Sequence, residues 1–288
     1  MASWIQLSIP GCFIPLSGMR FAVLGSGSGG NAAVVESGGT RLLVDAGLSA
    51  KQLVLRLRRV GIEPESLSGI LLTHEHGDHV SGLRVLMKSL SVPVYATPST
   101  SHVVRENLGA ISWKLFESGS RFAIGDLEVQ SFAVPHDAVE PVGFVFHRGG
   151  RSIGLVSDAG HVTKRVSDLL AGVQALFIEA NYDDELLEAD TKRPWSTKQR
   201  ISSRHGHLSN AQTAALVAEL VPAGLRRVVL GHLSRDCNNP EVAIAAMSSL
   251  GIEVACACQH EPTTWHAAEA EEAAEECGIE FQKDELFG

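Results

Sequence analysis

The sequence predicts an α/β protein in which two sheets pack face to face and helices cover the outside. Two observations carry this. Short apolar runs of strand length alternate with amphipathic helical stretches in both halves of the chain. Several of those runs also end on histidine or aspartate, as Val134-Pro135-His136, Val156-Ser157-Asp158 and Leu230-Gly231-His232 do, so the ends of many strands share one chemical character.

Met19 to Leu24 begins the fold, with Phe21-Ala22-Val23-Leu24 a short buried strand. Gly25-Ser26-Gly27-Ser28-Gly29-Gly30-Asn31 follows, and its glycines match a dinucleotide-binding fingerprint with Asp45 at a suggestive distance. That fingerprint needs a helix to begin at the loop, with its N-terminus on the pyrophosphate. Here the loop runs into Ala32 to Glu36 and Thr40 to Val44, a hairpin around Gly38-Gly39. The loop is therefore expected to be a flexible backbone passing close to the functional loop, with Asp45 supporting a ligand by hydrogen bonding. Leu48 to Val60 is amphipathic, with Leu53, Leu57 and Val60 inside and Arg56 and Arg59 outside. Gly69 to Leu72 is a strand, Val80 to Leu90 helix-like, Val92 to Ala96 a strand and Thr100 to Leu108 a helix. Strands follow at Phe122 to Ile124, Leu127 to Val134, Gly143 to His147 and Ser152 to Val156. The chain then alternates: a helix through Val166–Leu170, a strand Ala175 to Ile178, a helix 210–220, a strand Arg227 to Leu230, a helix 240–249 and a strand Ile252 to Ala257. Residues 265–277 read as a polar surface helix or a disordered segment.

At 288 residues, with 44% hydrophobic residues and a mean hydropathy of +0.09, the chain suits a soluble globular protein with a substantial core. The expected division is an extension at 1–18, a main domain at 19–260 and an acidic tail at 261–288. No apolar run is long enough to span a bilayer. The first eighteen residues lack a basic start and are broken by Pro10, Gly11 and Pro15, unlike a signal peptide. Five cysteines without a Cys-x-x-Cys pair make no disulfide framework, Cys256 and Cys258 read as core, and the expected compartment is a reducing cytoplasm. The net charge of −9 comes almost wholly from residues 261–288, which hold nine acids against Lys283. The body is close to neutral, so acidity does not exclude an anionic substrate.

Chemistry concentrates in Thr73-His74-Glu75-His76-Gly77-Asp78-His79. His74 and His76, two apart at a strand end, project to one side, and Asp78 and His79 follow where the chain turns. Imidazole and carboxylate without a nearby thiolate are the ligands of zinc, iron or manganese in a hydrolytic centre. With His136, Asp158 and His232 they complete a two-metal set. His74, His76 and His136 are expected on one ion, Asp78, His79 and His232 on the other, and Asp158 between them.

This order and spacing resemble the metallo-β-lactamase fold over nearly all of residues 19–258. The resemblance implies a four-layer αββα sandwich with a dinuclear metal site at the edge of the two sheets. Phe177-Ile178-Glu179-Ala180-Asn181-Tyr182 and Gly206-His207-Leu208-Ser209-Asn210-Ala211 resemble elements of the tRNA 3′-processing endonucleases, in which the residues matching His207 and Glu179 act as a proton-delivering pair. Together with Gly25 to Asn31 and His232-Leu233-Ser234-Arg235-Asp236-Cys237-Asn238-Asn239-Pro240, they are closer still to the YycJ/WalJ-like branch, regarded as 5′–3′ DNA exonucleases. The separation of Asp158 from His232 is too short for the inserted domain of the β-CASP nucleases.

Thr191 to Asn210 carries Lys192, Arg193, Lys198, Arg200 and Arg204 and no acid, and Trp195 among them is placed to stack on a base. Ser209-x-x-Gln212 reads as a capping box, so a helix N-terminus with free amides is expected beside His207 to receive a phosphate. Arg204, Arg200, Lys198, Ser209, Asn210, Asn181 and Asn31 are the candidate substrate contacts. His102, His147, His260 and His266 read as surface or boundary residues, while His161 and His205 lie near site elements. The expected reaction is in-line attack on a phosphodiester by water shared between two divalent ions, with Asp78 orienting it and His207, held by Glu179, serving the leaving oxygen. A thioester or lactone hydrolase of the same fold is the main rival. A redox di-iron centre would favour an acid in place of His76, and a non-catalytic nucleic-acid-binding module would not need the full ligand set.

Overall fold

The computed structural model describes residues 4–6, 13–15, 18–106, 108 and 111–268. In chain order the strands are β1 (Trp4–Gln6), β2 (Phe13–Pro15), β3 (Met19–Gly25), β4 (Ala32–Ser37), β5 (Thr40–Val44), β6 (Gly69–Leu71), β7 (Val94–Ala96) and β8 (Trp113–Leu115). They continue as β9 (Arg121–Ile124), β10 (Leu127–Ala133), β11 (Val142–Arg148), β12 (Arg151–Val156), β13 (Ala175–Glu179), β14 (Arg227–Gly231), β15 (Glu253–Cys256) and β16 (His266–Ala267). The helices are α1 (Ala50–Arg59), α2 (Gly77–Val80), α3 (Leu83–Leu86), α4 (Pro98–Arg105), α5 (Lys164–Leu170), α6 (Asp184–Ala189), α7 (Trp195–Ile201), α8 (Asn210–Leu220) and α9 (Pro240–Ala245).

Two seven-stranded sheets result, ordered β16-β3-β4-β5-β6-β7-β8 and β15-β14-β13-β12-β11-β10-β9. Their residues alternate between two cores, as period-two strands must. Phe21, Val23, Val35 and Leu42 of the first sheet meet Val129, Phe144, Phe146 and Phe177 of the second in a core between the sheets. Ala22, Leu24, Val34 and Leu43 point the other way, against Leu53 and Leu57 of α1 and Leu83 and Leu86 of α3. Val145, Leu176, Ile178 and Val228 face Val166 and Leu170 of α5 and Leu216, Val217 and Leu220 of α8. This is the αββα sandwich expected. No described helix is long and apolar enough to cross a membrane.

Strand direction places the site. β5 and β6 run parallel, as do β12, β13 and β14. In register, Val156, Ile178 and Leu230 lie side by side, so Asp158, Glu179 and His232 all leave at one edge. Ligands gather at the carboxyl ends of parallel strands for this reason. The Val142 amide donates to the Thr73 carbonyl at 3.0 Å and ties the second sheet to the histidine-rich loop of the first.

Several elements depart from the sequence reading. The stretch Val80 to Leu90 holds only the single turn α3, with α2 ending at Val80, and the Gly82 amide between them donates to the Ala46 carbonyl. Helix α6, strand β8 and, within the basic stretch, helix α7 are additional. Arg56, expected outside, is buried and donates from Nη1 to the carbonyls of Leu24 and Gln259. His266 is buried too, on the strand that pairs with β3, because Thr263 also bonds Val23 and draws the chain onto the sheet edge. The described sheet thus continues past 260 through β16, and the rest of the acidic tail lies outside the described residues. Cys256 is half-buried and Cys258 exposed, since β15 is an edge strand that ends at Cys256.

Candidate metal centre

The loop after β6 is bound from below by one carboxylate. Asp45 accepts from the Thr73 amide at 2.8 Å, the Thr73 hydroxyl at 2.8 Å and His79 Nδ1 at 2.7 Å. With its proton given to Asp45, the Thr73 hydroxyl accepts from His74 Nδ1 at 2.9 Å. Asp45 has φ +60°, in the left-handed region that aspartate tolerates better than most side chains. His232, at φ +55°, is the other described non-glycine residue with positive φ, and both stand where a strand delivers a side chain to the centre.

Four imidazoles are fixed by the same device. His74 Nδ1 is held by Thr73, His79 Nδ1 by Asp45, His136 Nδ1 by the Gly206 carbonyl at 3.0 Å, and His232 Nδ1 by Glu179 at 2.7 Å. Each therefore turns Nε2 to the common space, the arrangement that sets the tautomer of a metal-binding histidine. His76 is reversed: its Nε2 reaches the Asp137 carbonyl at 3.2 Å, leaving Nδ1.

The side chains converge into three groups able to hold an ion: His74, His76 and His136; His74, His79 and Asp158; and Asp158, Glu179, His207 and His232. His74 and Asp158 are each common to two of them, and His79 groups with these two rather than with Asp78 and His232. Asp78 Oδ2 lies 3.6 Å from His79 Nε2 and 3.7 Å from His232 Nε2, at the more exposed side of the cluster. The donors suit divalent cations. His74 Nε2 is buried with no hydrogen-bond partner, a costly condition that a bound cation removes, while Asp158 Oδ1 lies 2.5 Å from His232 Nδ1.

The electrostatics point the same way. Burial lowers the basicity of His79, yet Asp45 and Asp158 outweigh it and raise its pKa to about 10. His232 is likewise opposed by burial and raised well above its usual value by Asp158, Asp78 and Glu179. His74, buried and beside His79, is pushed well below its usual range. The buried carboxylates thus demand positive charge, and protons on His79 and His232 supply it where divalent ions would.

Glu179 is fully buried. One oxygen accepts from both His207 Nδ1 and His232 Nδ1, each at 2.7 Å, and the other accepts from the amides of Ala159 and Leu208. His207 is about one-fifth exposed, so its second nitrogen is the one left for a substrate.

The expected substrate contacts fare unevenly. Ser209 and Asn210 are buried. Ser209 and Gln212 form the expected capping box, while the Asn210 amide goes to Tyr182 and its side chain pairs with Asn238. That first turn presents no set of free amides to a phosphate. Asn181 donates its side-chain amide to the His232 carbonyl at 2.6 Å, and Asn31 accepts from Gly27 while its Nδ2 lies 3.1 Å from Asp78. Both asparagines are buried and support the centre from within. The glycine loop is pinned, contrary to the flexible backbone expected: Gln259 binds the Gly29 amide and the Gly30 carbonyl, each at 2.8 Å. Gly47 permits this close packing, since a Cβ there would strike the Asp78 carbonyl.

Of the five basic residues, Lys192 and Arg193 are paired with Asp190 and Asp236, acids flanking the stretch in sequence or in space. Lys198 donates to the Glu188 carbonyl, Arg200 lies 3.6 Å from Asp137, and Arg204 stands 3.0 Å from His161. Trp195 is 70% exposed at the start of α7. His102, His205 and His260 are exposed, and His147 is half-buried against Ser152 and Gln130.

An αββα sandwich whose paired sheets deliver histidines and carboxylates to a divalent-metal centre at one edge defines the class: this is a metallo-β-lactamase-fold protein. A model of the β-lactamase superfamily domain matches residues 40–233, and the chain belongs to that family. Within it, the exodeoxyribonuclease YycJ of Bacillus anthracis is 38% identical over 236 residues, covering 81% of this chain and 89% of that protein. The exodeoxyribonuclease WalJ of Streptococcus pneumoniae is 36% identical over 235 residues, covering 80% and 87%. Among solved structures, the metallo-β-lactamase-fold protein YhfI of Bacillus subtilis superposes with a TM-score of 0.67 at 17% identity, covering 85% of this chain and 99% of its own. Zn(2+)-bound PqqB of Methylobacterium extorquens also reaches 0.67, at 20% identity and the same coverage. These two structures speak for the fold alone.

Proposed function

We propose that the protein is a dinuclear-metal-dependent phosphodiesterase that degrades DNA from its 5′ end in the cytoplasm. In this reading His74, His76 and His136 hold one ion, Asp78, His79 and His232 the other, and Asp158 spans the two. Zinc or manganese suits this mixed imidazole and carboxylate set best, and iron is chemically acceptable. Divalent ions bound there would supply Lewis acidity, acidifying water to near neutral pKa and offsetting charge on the phosphate oxygens.

The observation that carries the reading is the Glu179–His207 pair at 2.7 Å, standing at the rim of the proposed metal cluster. A thioester hydrolase needs no such added acid, because a thiolate leaves readily. An alkoxide leaving from phosphorus gains from a proton donor. Glu179, with two backbone amides on its other oxygen, holds the His207 ring in place. Asp78, the most open of the proposed carboxylates, orients the attacking water. Arg200 and Arg204 reach towards this rim through Asp137 and His161, where a polyanion would add to binding in a salt-dependent way. The relatives named as exodeoxyribonucleases support DNA as the substrate.

End-labelled single-stranded DNA assayed with Mn²⁺, Zn²⁺ and Fe²⁺, beside a thioester and lactone panel, tests the proposal. Metal-dependent shortening from the 5′ end is expected. Thioester turnover without DNA cleavage would replace the nuclease reading with the small-molecule one.

A further inference from the structure

One cation beside the centre has no partner among the described residues. Arg235 is exposed, three residues beyond His232, and makes no hydrogen bond or ion pair among the described residues. Its neighbours Lys192, Arg193 and Asp236, by contrast, are all paired. The guanidinium rests against the tip of the glycine loop: a Cβ built on Gly29 would lie 3.1 Å from Arg235 Nη2 and 2.8 Å from Gln259 Oε1. Glycine at 29 thus brings bare backbone up to the arginine. Ser28, next to it, is exposed with amide and hydroxyl unbonded among the described residues.

The loop is also rigidly referenced to the centre. Ser26 Oγ accepts the His232 amide at 2.7 Å, the Asn31 amide donates to the Asp78 carbonyl at 2.7 Å, and Gln259 anchors the tip between them. Arg56 in turn holds the Gln259 carbonyl at 2.9 Å from the buried side. Arg235 and Ser28 therefore sit on the flank formed by Asp78 and His232. Arg200 and Arg204 sit on the other flank, through Asp137 and His161 beside His136.

We propose that Arg235 and the Ser28–Gly29 tip form a second phosphate-binding point, which grips a phosphate of the substrate chain other than the one being cleaved. The inference rests on the phosphodiesterase reading and deepens it. A planar guanidinium donates two parallel N–H groups to a phosphate, and Ser28, next to Gly29, adds an amide and a hydroxyl. With basic groups on both flanks, the strand crosses the centre from the α7 side to the glycine loop, and Arg235 fixes its register.

The test compares Arg235→Ala and Arg235→Lys with the unaltered protein on an oligodeoxynucleotide and on bis(p-nitrophenyl) phosphate, which has a single phosphate. Arg235→Ala is expected to lose about tenfold more kcat/KM on the oligonucleotide than on the small diester, the size of one charge-assisted hydrogen bond, with the loss in KM. Arg235→Lys recovers part of it. In chelator, binding of labelled single-stranded DNA by Arg235→Ala should show a salt dependence shallower by about 0.7 in log–log slope, one phosphate contact fewer. Equal losses on both substrates, or an unchanged salt slope, overturn the subsite while leaving the phosphodiesterase reading intact. Unaltered protein that cleaves neither substrate overturns both. Substrates with 5′-phosphate and 5′-hydroxyl ends identify the phosphate: a defect confined to the former assigns the terminal group, and an equal defect on both assigns the backbone.

Discussion

Asp45 touches no ion in the proposed scheme, yet its replacement by asparagine should weaken metal binding and folding together. Asparagine is chosen over alanine because position 45 has φ +60°, which asparagine tolerates and alanine does not, at a cost of about 1–2 kcal/mol. The amide oxygen can still accept from the Thr73 amide. The NH₂ group, however, meets His79 Nδ1 and the Thr73 hydroxyl, two groups that now donate to Asp45 at 2.7 and 2.8 Å. Loss of such a supporting carboxylate typically costs about 10–100-fold in metal affinity. Losing hydrogen bonds to a buried charge adds about 1.5–3 kcal/mol of destabilisation each. Competition against a chromophoric chelator measures the first, and urea unfolding in chelator the second. If Asp45→Asn binds zinc as tightly as the unaltered protein and unfolds at the same urea concentration, the wiring from Asp45 through Thr73 to His74 and His79 has no energetic weight.

Four further outcomes are expected. His207→Ala should retain its ions by elemental analysis while turnover on DNA falls about 10²–10⁴-fold, the usual reach of a positioned general acid. Full activity in that variant would end the assigned role. Added Zn²⁺ or Mn²⁺ at about a hundred times its dissociation constant should stabilise the chelator-treated protein by about 2.7 kcal/mol, read as a shift in thermal midpoint. The Asp190 carboxylate, held by Arg193 and the Lys192 amide, has its pKa lowered to about 2. Its stabilising contribution is complete above the ordinary value of 3.8 and is lost as the pH falls through about 2, so the gap in urea midpoint between unaltered protein and Asp190→Asn should close over that window. A chain starting at Met19 should melt as the full chain does, since β1 and β2 pair only with each other among the described strands.

The sandwich and its edge were legible because strand-end histidines and carboxylates are a local signal: His136, Asp158 and His232 each follow an apolar run, and all reach the same edge. Asp45 was legible for that reason as well. Partners distant in sequence were not. Nothing near Arg56 says that its guanidinium turns inward to the carbonyls of Leu24 and Gln259, and nothing near Lys192 or Arg193 announces Asp236. Counting charge along Thr191 to Asn210 therefore overstated the basic surface. Asn181 and Asn210 lie beside Glu179 and His207 in sequence, which suggests substrate contacts. Burial, set by packing between α8 and β13, gives them internal partners instead. The left-handed backbone at His232 carries no sequence mark, for glycine is the residue that usually advertises it.

The proposed centre draws its side chains from both sheets, and the last of them, His232, follows β14 near the end of the domain. During synthesis every strand that precedes it can form before the second ion of the proposed scheme would have its full set of ligands. On that scheme a ribosome-bound fragment would not yet cut nucleic acid, and cutting power would arrive only when the two halves close on each other. Assembly of the sandwich is in this sense the enzyme's own safety catch.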